Sequence, residues 1–325
     1  MDFNRDAELD TSRITDERFD GGGGGYDSGG SGLGGRVAIG GGGISVLGLI
    51  IYLLLNQLGG GSGGGAGLPS LAGGAPSAHS GASGSDPRSI NQHCRTGANI
   101  YTNNGKTIDL ACEIAALSNS IENYWNTEFS QNGRRYQGAG LHVFQGATRT
   151  GCGPATADVG PFYCPADKNV YIDLSFYQEL TQRFHASGGS FAHAYVLAHE
   201  YGHHVQDLLG QSTGGSAYGA TSGSVRLELQ ADCYAGVWAH HAQQTTTASG
   251  KPLIENVTQQ DVDAALDTAS RIGDDYIQSQ IAHQQVNSGK FTHGTSAQRE
   301  KWLTTGLRTG DPAQCNTFAR GVNLG

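Results

Sequence analysis

The sequence predicts an α+β domain in which a small sheet comes first and helices fill the second half. Three observations carry this. Residues 190–210 keep apolar side chains at the helical period. Two β-branched and aromatic stretches, Leu141-His-Val-Phe144 and Asn169-Val-Tyr-Ile-Asp-Leu174, precede them among Gly and Pro punctuation, and further helical patterns follow. About half of the 52 glycines fall between Gly21 and Gly84, so composition separates this part of the chain from what lies before it. The remaining stretch, about 240 residues, is long enough to bury a substantial core in one domain. A formal charge of −9 leaves no basic footprint and argues against nucleic acid as a partner.

Taken in order, residues 1–36 are polar, mixed in charge and without apolar periodicity, which reads as a disordered tail. Residues 37–58 carry no charge and are almost wholly apolar from Ile44 to Leu55, which reads as one transmembrane helix weakened by Gly40 to Gly43. Arg5, Arg13, Arg18 and Arg36 precede it and no Lys or Arg follows before Arg88. The positive-inside rule therefore puts the tail in the cytoplasm and the domain outside a single-pass cell membrane anchor. A cleaved signal peptide competes, but the segment starts late and no small-x-small site closely follows it. Residues 59–87 read as a flexible Gly/Ser-rich linker and residues 88–325 as the domain.

All six cysteines lie beyond residue 58, an even count that suits an oxidising compartment. Six cysteines allow 15 pairings among which sequence does not choose; Cys152 with Cys164 would close a compact loop, and Cys94 with Cys112 and Cys233 with Cys315 is one arrangement for the rest. Leu110, Ile114, Leu117, Ile121 and Trp125 recur at helical spacing between residues 108 and 129. The stiff stretch from Cys152 to Pro165 is either a stapled loop or a sheet edge able to hold an extended peptide by main-chain hydrogen bonds.

The chain is organised around Val196-Leu-Ala-His199-Glu200-Tyr-Gly-His203-His204-Val205, the His-Glu-x-x-His spacing with which one helix binds zinc and activates a water. With His199 at zero, His203 falls at about 40° and Glu200 at about 100°, while Ala194, Leu197, Tyr201, Val205 and Leu208 form an apolar stripe opposite. His204, near 140°, points away from a shared ligand set. Ser190 is the expected N-cap and Gly210 the C′ glycine. The bland reading is a His-rich polar face without metal.

A second helix is expected from Ser224 to about His241. In it Glu228 and Asp232 are one turn apart, so Glu228 can complete three protein ligands while Asp232 accepts from a ligand histidine's outer nitrogen. Surface carboxylates need no such explanation, but Ala231, Ala235, Gly236 and Ala239 let this helix approach the first closely. A long helix is expected from Thr258 to His283, with Asp274 and Asp275 as solvated charge by default. Thr295 and Gln298 form a capping box for a short helix through Trp302 that Gly306 ends, and His293 lies in the loop before it.

Gly160-Pro-Phe-Tyr-Cys-Pro165, Ala198-His-Glu-Tyr-Gly-His-His204, Glu228-Leu-Gln-Ala-Asp-Cys233 and Phe291-Thr-His-Gly-Thr-Ser-Ala-Gln-Arg299 together resemble the neutral zinc metallopeptidase family of bacterial membrane-anchored proteins. The resemblance runs from about Arg88 to Phe318 and implies a zincin-like fold of the gluzincin kind. In it His199, His203 and a downstream Glu hold zinc and Glu200 is the catalytic base. The expected substrate is a peptide or protein, and His293 is the expected oxyanion donor. Two other readings stand beside this one: a zinc-containing envelope scaffold that cleaves nothing, and a zinc amidase acting on cell-wall peptides.

Overall fold

The structure, a computed structural model, describes residues 1–19, 86–102, 105, 107–212 and 215–325. Its strands are short and mostly precede its long helices. β1 (Asp2–Phe3) and β2 (Ile14–Asp16) lie in the N-terminal segment. β3 (Gly140–Phe144), β4 (Phe162–Cys164) and β5 (Asn169–Asp173) follow helix α1 (Leu110–Gln131). The main sheet runs β2-β3-β5-β4, with β2 and β5 parallel to β3 and β4 antiparallel at one edge. Leu141 sits between Ile14 and Val170 in register, and all three are buried, as expected of a strand covered on one face.

The second half is helical: α2 (Phe176–Gln182), α3 (Ser190–Leu208), α4 (Gly223–His241), α5 (Gln259–Arg271) and α6 (Ser296–Thr309). In α1, Asp109 caps the backbone N–H groups of Ala111 and Cys112, and Ile114, Leu117, Ile121 and Trp125 enter the core. The apolar stripe of α3 meets them with Ala194, Leu197, Tyr201 and Val205, and Leu208 packs at its margin. Ser190 is the first residue of α3 rather than its cap; Gly189 holds that place, and Gly210 closes the other end with φ at 70°.

Three disulfides tie the domain: Cys152–Cys164, which closes the compact loop its spacing suggested, and Cys94–Cys112 and Cys233–Cys315, which spacing alone did not select. Two helix expectations are corrected. The helix from Thr258 is broken after Arg271, and Gly273 beyond the break lies against the backbone of Ser296 where a Cβ would not fit; a turn at Asp274–Tyr276 then runs on as a π-helical turn, Ile277–Ile281. Gly306 does not end α6, which runs on to Thr309 and closes at Gly310 with φ at 61°. Gly306 instead packs against Gly236 of α4, and a Cβ on either would strike the backbone of the other helix. The missing side chains let the two backbones touch.

The N-terminal segment overturns the expected topology. Residues 1–19 are not a disordered tail: β1 pairs antiparallel with β6 (Ile254–Asn256), β2 is a member of the main sheet, and Phe3, Ala7, Leu9 and Ile14 are buried in the common core. Segments that share a sheet lie on the same side of any membrane, whereas a single crossing between residues 19 and 86 would part them. No described helix is long and apolar enough to span a bilayer, and the span drawn at 37–58, like all but the last two residues of the linker drawn at 59–87, lies outside the described residues. The single-pass anchor with a cytoplasmic N-terminus and an external domain is therefore withdrawn.

Candidate metal centre

α3 and α4 cross at Gly202, whose absent Cβ would sit 3.0 Å from the backbone of Ala231. This crossing brings His199 and His203 of α3 opposite Glu228 of α4, with one ligand atom from each lying within 4.8 Å of the others. His199 Nε2 is 3.2 Å from Glu228 Oε2, and His203 Nε2 is 3.5 Å from Glu228 Oε1. The two imidazoles stand at 89° to each other, 4.8 Å apart.

The outer nitrogens are engaged elsewhere. His199 Nδ1 donates to Asp232 Oδ1 at 2.8 Å, and His203 Nδ1 pairs with Gln206 Oε1 at 2.9 Å. His203 Nε2 is left buried without a hydrogen bond. Burial, with the neighbouring His199, holds the His203 ring down at about 4, against the pull of Glu228, which keeps it in the neutral form that ligates metal. Burial alone would raise the Glu228 carboxyl, but the imidazoles of His203, His293 and His199 around it, with the hydrogen bond to His199, outweigh burial and hold it below the usual carboxylate range.

Two imidazole nitrogens and a carboxylate, with a buried nitrogen lacking any other partner, fit zinc with a fourth position open. His204 does not close that position: it is buried, with Nε2 donating to the Gln137 carbonyl at 2.6 Å and Nδ1 3.1 Å from the Tyr163 hydroxyl. A second cluster, His93, Asp109 and Cys112, offers no such set because Cys112 is in a disulfide.

Glu200 lies on the same helix, 0% exposed, and neither carboxylate oxygen makes a hydrogen bond. Burial is the main cause that pushes it up to about 8, with the Glu228 charge adding and His199, Arg299 and a weak approach of the Tyr163 backbone N–H opposing.

His293 approaches from the loop before α6. It is fully buried, its Nε2 has no hydrogen-bond partner, and it is near enough to Glu228 to act on its charge. Asp274 fixes it. One oxygen of Asp274 accepts the backbone N–H groups of Thr292, His293 and Gly294 at 2.7 to 2.9 Å, while the other is 3.4 Å from His293 Nδ1. Asp274 is thus not solvated charge; it is 1% exposed and shapes the loop. Sequence reasoning also assigned no role to Arg299 or Tyr195, which are both buried and both bonded to Asp232.

β4 is an edge of the main sheet and is also stapled by Cys152–Cys164. It is pinned to α3 by Tyr163, whose hydroxyl donates to Asp207 at 2.9 Å.

A mixed α+β domain with a two-histidine, one-glutamate cluster on crossed helices defines a protein of the His-Glu-x-x-His metal-site class. The chain belongs to the family described as "Putative neutral zinc metallopeptidase", whose profile matches residues 3–318. It is similar to an uncharacterized protein of Mycobacterium tuberculosis strain H37Rv, 45% identical over 229 residues that cover 70% of this chain and 74% of the relative. It is also similar to the uncharacterized protein YpfJ of Escherichia coli K12, 46% identical over 210 residues, 62% of this chain and 69% of the relative. No solved structure matches it.

Proposed function

We propose that this protein is a zinc-dependent metallopeptidase that hydrolyses peptide bonds. The observation that carries the reading is the convergence of His199, His203 and Glu228 beside a buried carboxylate, Glu200, with no structural partner. His199, His203 and Glu228 would hold the zinc and Asp232 would orient His199. When bound, zinc supplies a Lewis acid that polarises the scissile carbonyl and lowers the pKa of a water in the open position. Glu200 takes the proton from the attacking water and passes it to the departing amine nitrogen.

His293 stabilises the oxyanion from Nε2. Nδ1 is held by Thr292 Oγ1 at 3.0 Å and by Asp274 Oδ1 at 3.4 Å, which leaves the buried, unpartnered Nε2 as the nitrogen that can donate to the oxyanion. A structural zinc site has no use for an unbonded carboxylate beside the metal, which disfavours a scaffold that cleaves nothing.

Metal analysis and peptide-library cleavage on purified full-length protein, wild type against Glu200→Gln, test the reading. One zinc per chain in both proteins is expected, with cleavage lowered about 10²- to 10⁴-fold in the variant. Zinc in both with no cleavage by either leaves the scaffold, and cleavage confined to wall peptides leaves the amidase.

A further inference from the structure

Asp232 receives four hydrogen bonds from three residues. Its Oδ1 accepts from the Tyr195 hydroxyl at 2.7 Å, from His199 Nδ1 at 2.8 Å and from Arg299 Nη2 at 2.8 Å, and its Oδ2 accepts from Arg299 Nε at 3.0 Å. The guanidinium therefore grips both oxygens of one carboxylate, an arrangement that fixes the plane of each group. Arg299 is 0% exposed, and its remaining contacts lock it in turn: Nη1 donates to the Ile272 carbonyl at 3.3 Å, Nη2 reaches the Tyr195 oxygen at 3.0 Å, and Nη2 also lies 3.5 Å from His199 Nδ1, to which it cannot bond while that nitrogen donates to Asp232.

The fold spends several devices on putting it there. The glycine contact of α4 with α6 brings the helices together, and the Thr295/Gln298 capping box starts α6. Ser296 ties that start to Asp275 and to the Ser270 carbonyl. Arg299 then faces Asp232 across the helix interface, one turn from Glu228.

We propose that Arg299 is a positioning residue for the metal centre, acting through Asp232. By holding the Asp232 carboxylate in one orientation with every site accepting, it obliges His199 to present N–H at Nδ1 and to turn the Nε2 lone pair toward His203 and Glu228. A lysine cannot do this, because an ammonium has no planar fork to match the carboxylate. The inference rests on the zinc-site reading above, and extends the ligand support from α4 to the C-terminal helix.

A packing role for Arg299 would lower stability and leave metal binding alone. The test therefore measures zinc affinity by chelator competition, and the visible spectrum of the cobalt-substituted protein, on the full-length chain. The proteins compared are wild type, Arg299→Lys, Asp232→Asn, their double variant and Tyr195→Phe. Arg299→Lys is expected to weaken zinc about 10- to 100-fold and to shift the cobalt bands as Asp232→Asn does. In the Asp232→Asn background the same change is expected to add less than about threefold, since its route is already cut. Tyr195→Phe removes one hydroxyl and leaves no buried charge unpaired, so it is expected to fold and to weaken zinc severalfold.

Arg299→Lys with zinc affinity within about twofold of wild type overturns the inference, and so do losses that simply multiply in the double variant. Should Arg299→Lys not fold, unchanged affinity and spectrum in Tyr195→Phe overturn it. Wild-type protein that binds no zinc removes the metallopeptidase reading and this inference together, whereas zinc-binding wild type beside an unaffected variant removes only the inference.

Discussion

Ile90 donates its backbone N–H to the Asp16 carboxylate at 2.9 Å, a bond across 74 positions of sequence that ties the first segment of the chain to the start of the next described one. Asp16 is 1% exposed and also grips Arg18 at 2.7 Å, so its loss leaves a buried N–H without a partner. Asp16→Ala is expected to cost about 1–3 kcal/mol and to lower the thermal midpoint by roughly 2–10 °C in a scanning melt. Removing residues 1–19 exposes Phe3, Leu9 and Ile14 partners and strips the parallel neighbour from β3, so that protein is expected to aggregate. A truncated chain with the wild-type midpoint refutes the structural role of the segment.

The metal motif was legible because a single helix carries it: the 3.6-residue period alone puts His199, Glu200 and His203 on one face and Leu197, Tyr201 and Val205 on the other. Glu228 and Asp232 were legible for the same reason, one turn apart beside small residues. What sequence could not show is non-local. β1 and β2 span two and three residues, too short for any alternation, so their polar surroundings read as a tail. Hydropathy over residues 37–58 is likewise a local signal, while the pairing of Ile14 with Leu141 that contradicts its topology is not. Asp274 and Arg299 are charges on helices, and such charges are solvated unless partners bury them. Those partners sit 18 to 20 residues from Asp274 and 67 from Arg299. Gly306 reads as a helix stop until the helix it touches is known.

Glu122 gives the protein a pH-dependent stability separate from the metal centre. Burial raises its carboxyl to about 7, although the backbone N–H of Ala139, the Tyr136 hydroxyl and the charge of Arg13 all favour the ionised form. An acid raised in the folded state keeps a proton there that the unfolded chain releases above about pH 4.5. Its stabilising share is therefore complete below that pH and lost as pH rises through 7. Glu122→Gln is expected to remove this slope, leaving a wild-type-minus-variant difference that changes by on the order of 1–3 kcal/mol between pH 4.5 and 7.5 in urea unfolding. A difference constant over that window rejects the raised carboxyl.

His293 and Asp274 should separate in their effects. His293 Nε2 is buried with no partner, and Asp274 touches the ring only through Nδ1 while its second oxygen holds three backbone N–H groups of the loop. If His293 donates to the oxyanion, its hydrogen bond strengthens only as charge builds on the carbonyl oxygen. His293→Ala is then expected to lower kcat about 10²-fold or more, with KM, zinc content and melting midpoint little changed. Asp274→Ala leaves those three N–H groups buried and unpaired, so it is expected to lower the midpoint as well as kcat, because the loop that aims His293 loses its frame. Steady-state kinetics beside zinc analysis and a melt on each variant read the two roles apart. A zinc-loaded, folded His293→Ala with unchanged kcat eliminates His293 as the donor while leaving Glu200 and the metal ligands in their roles.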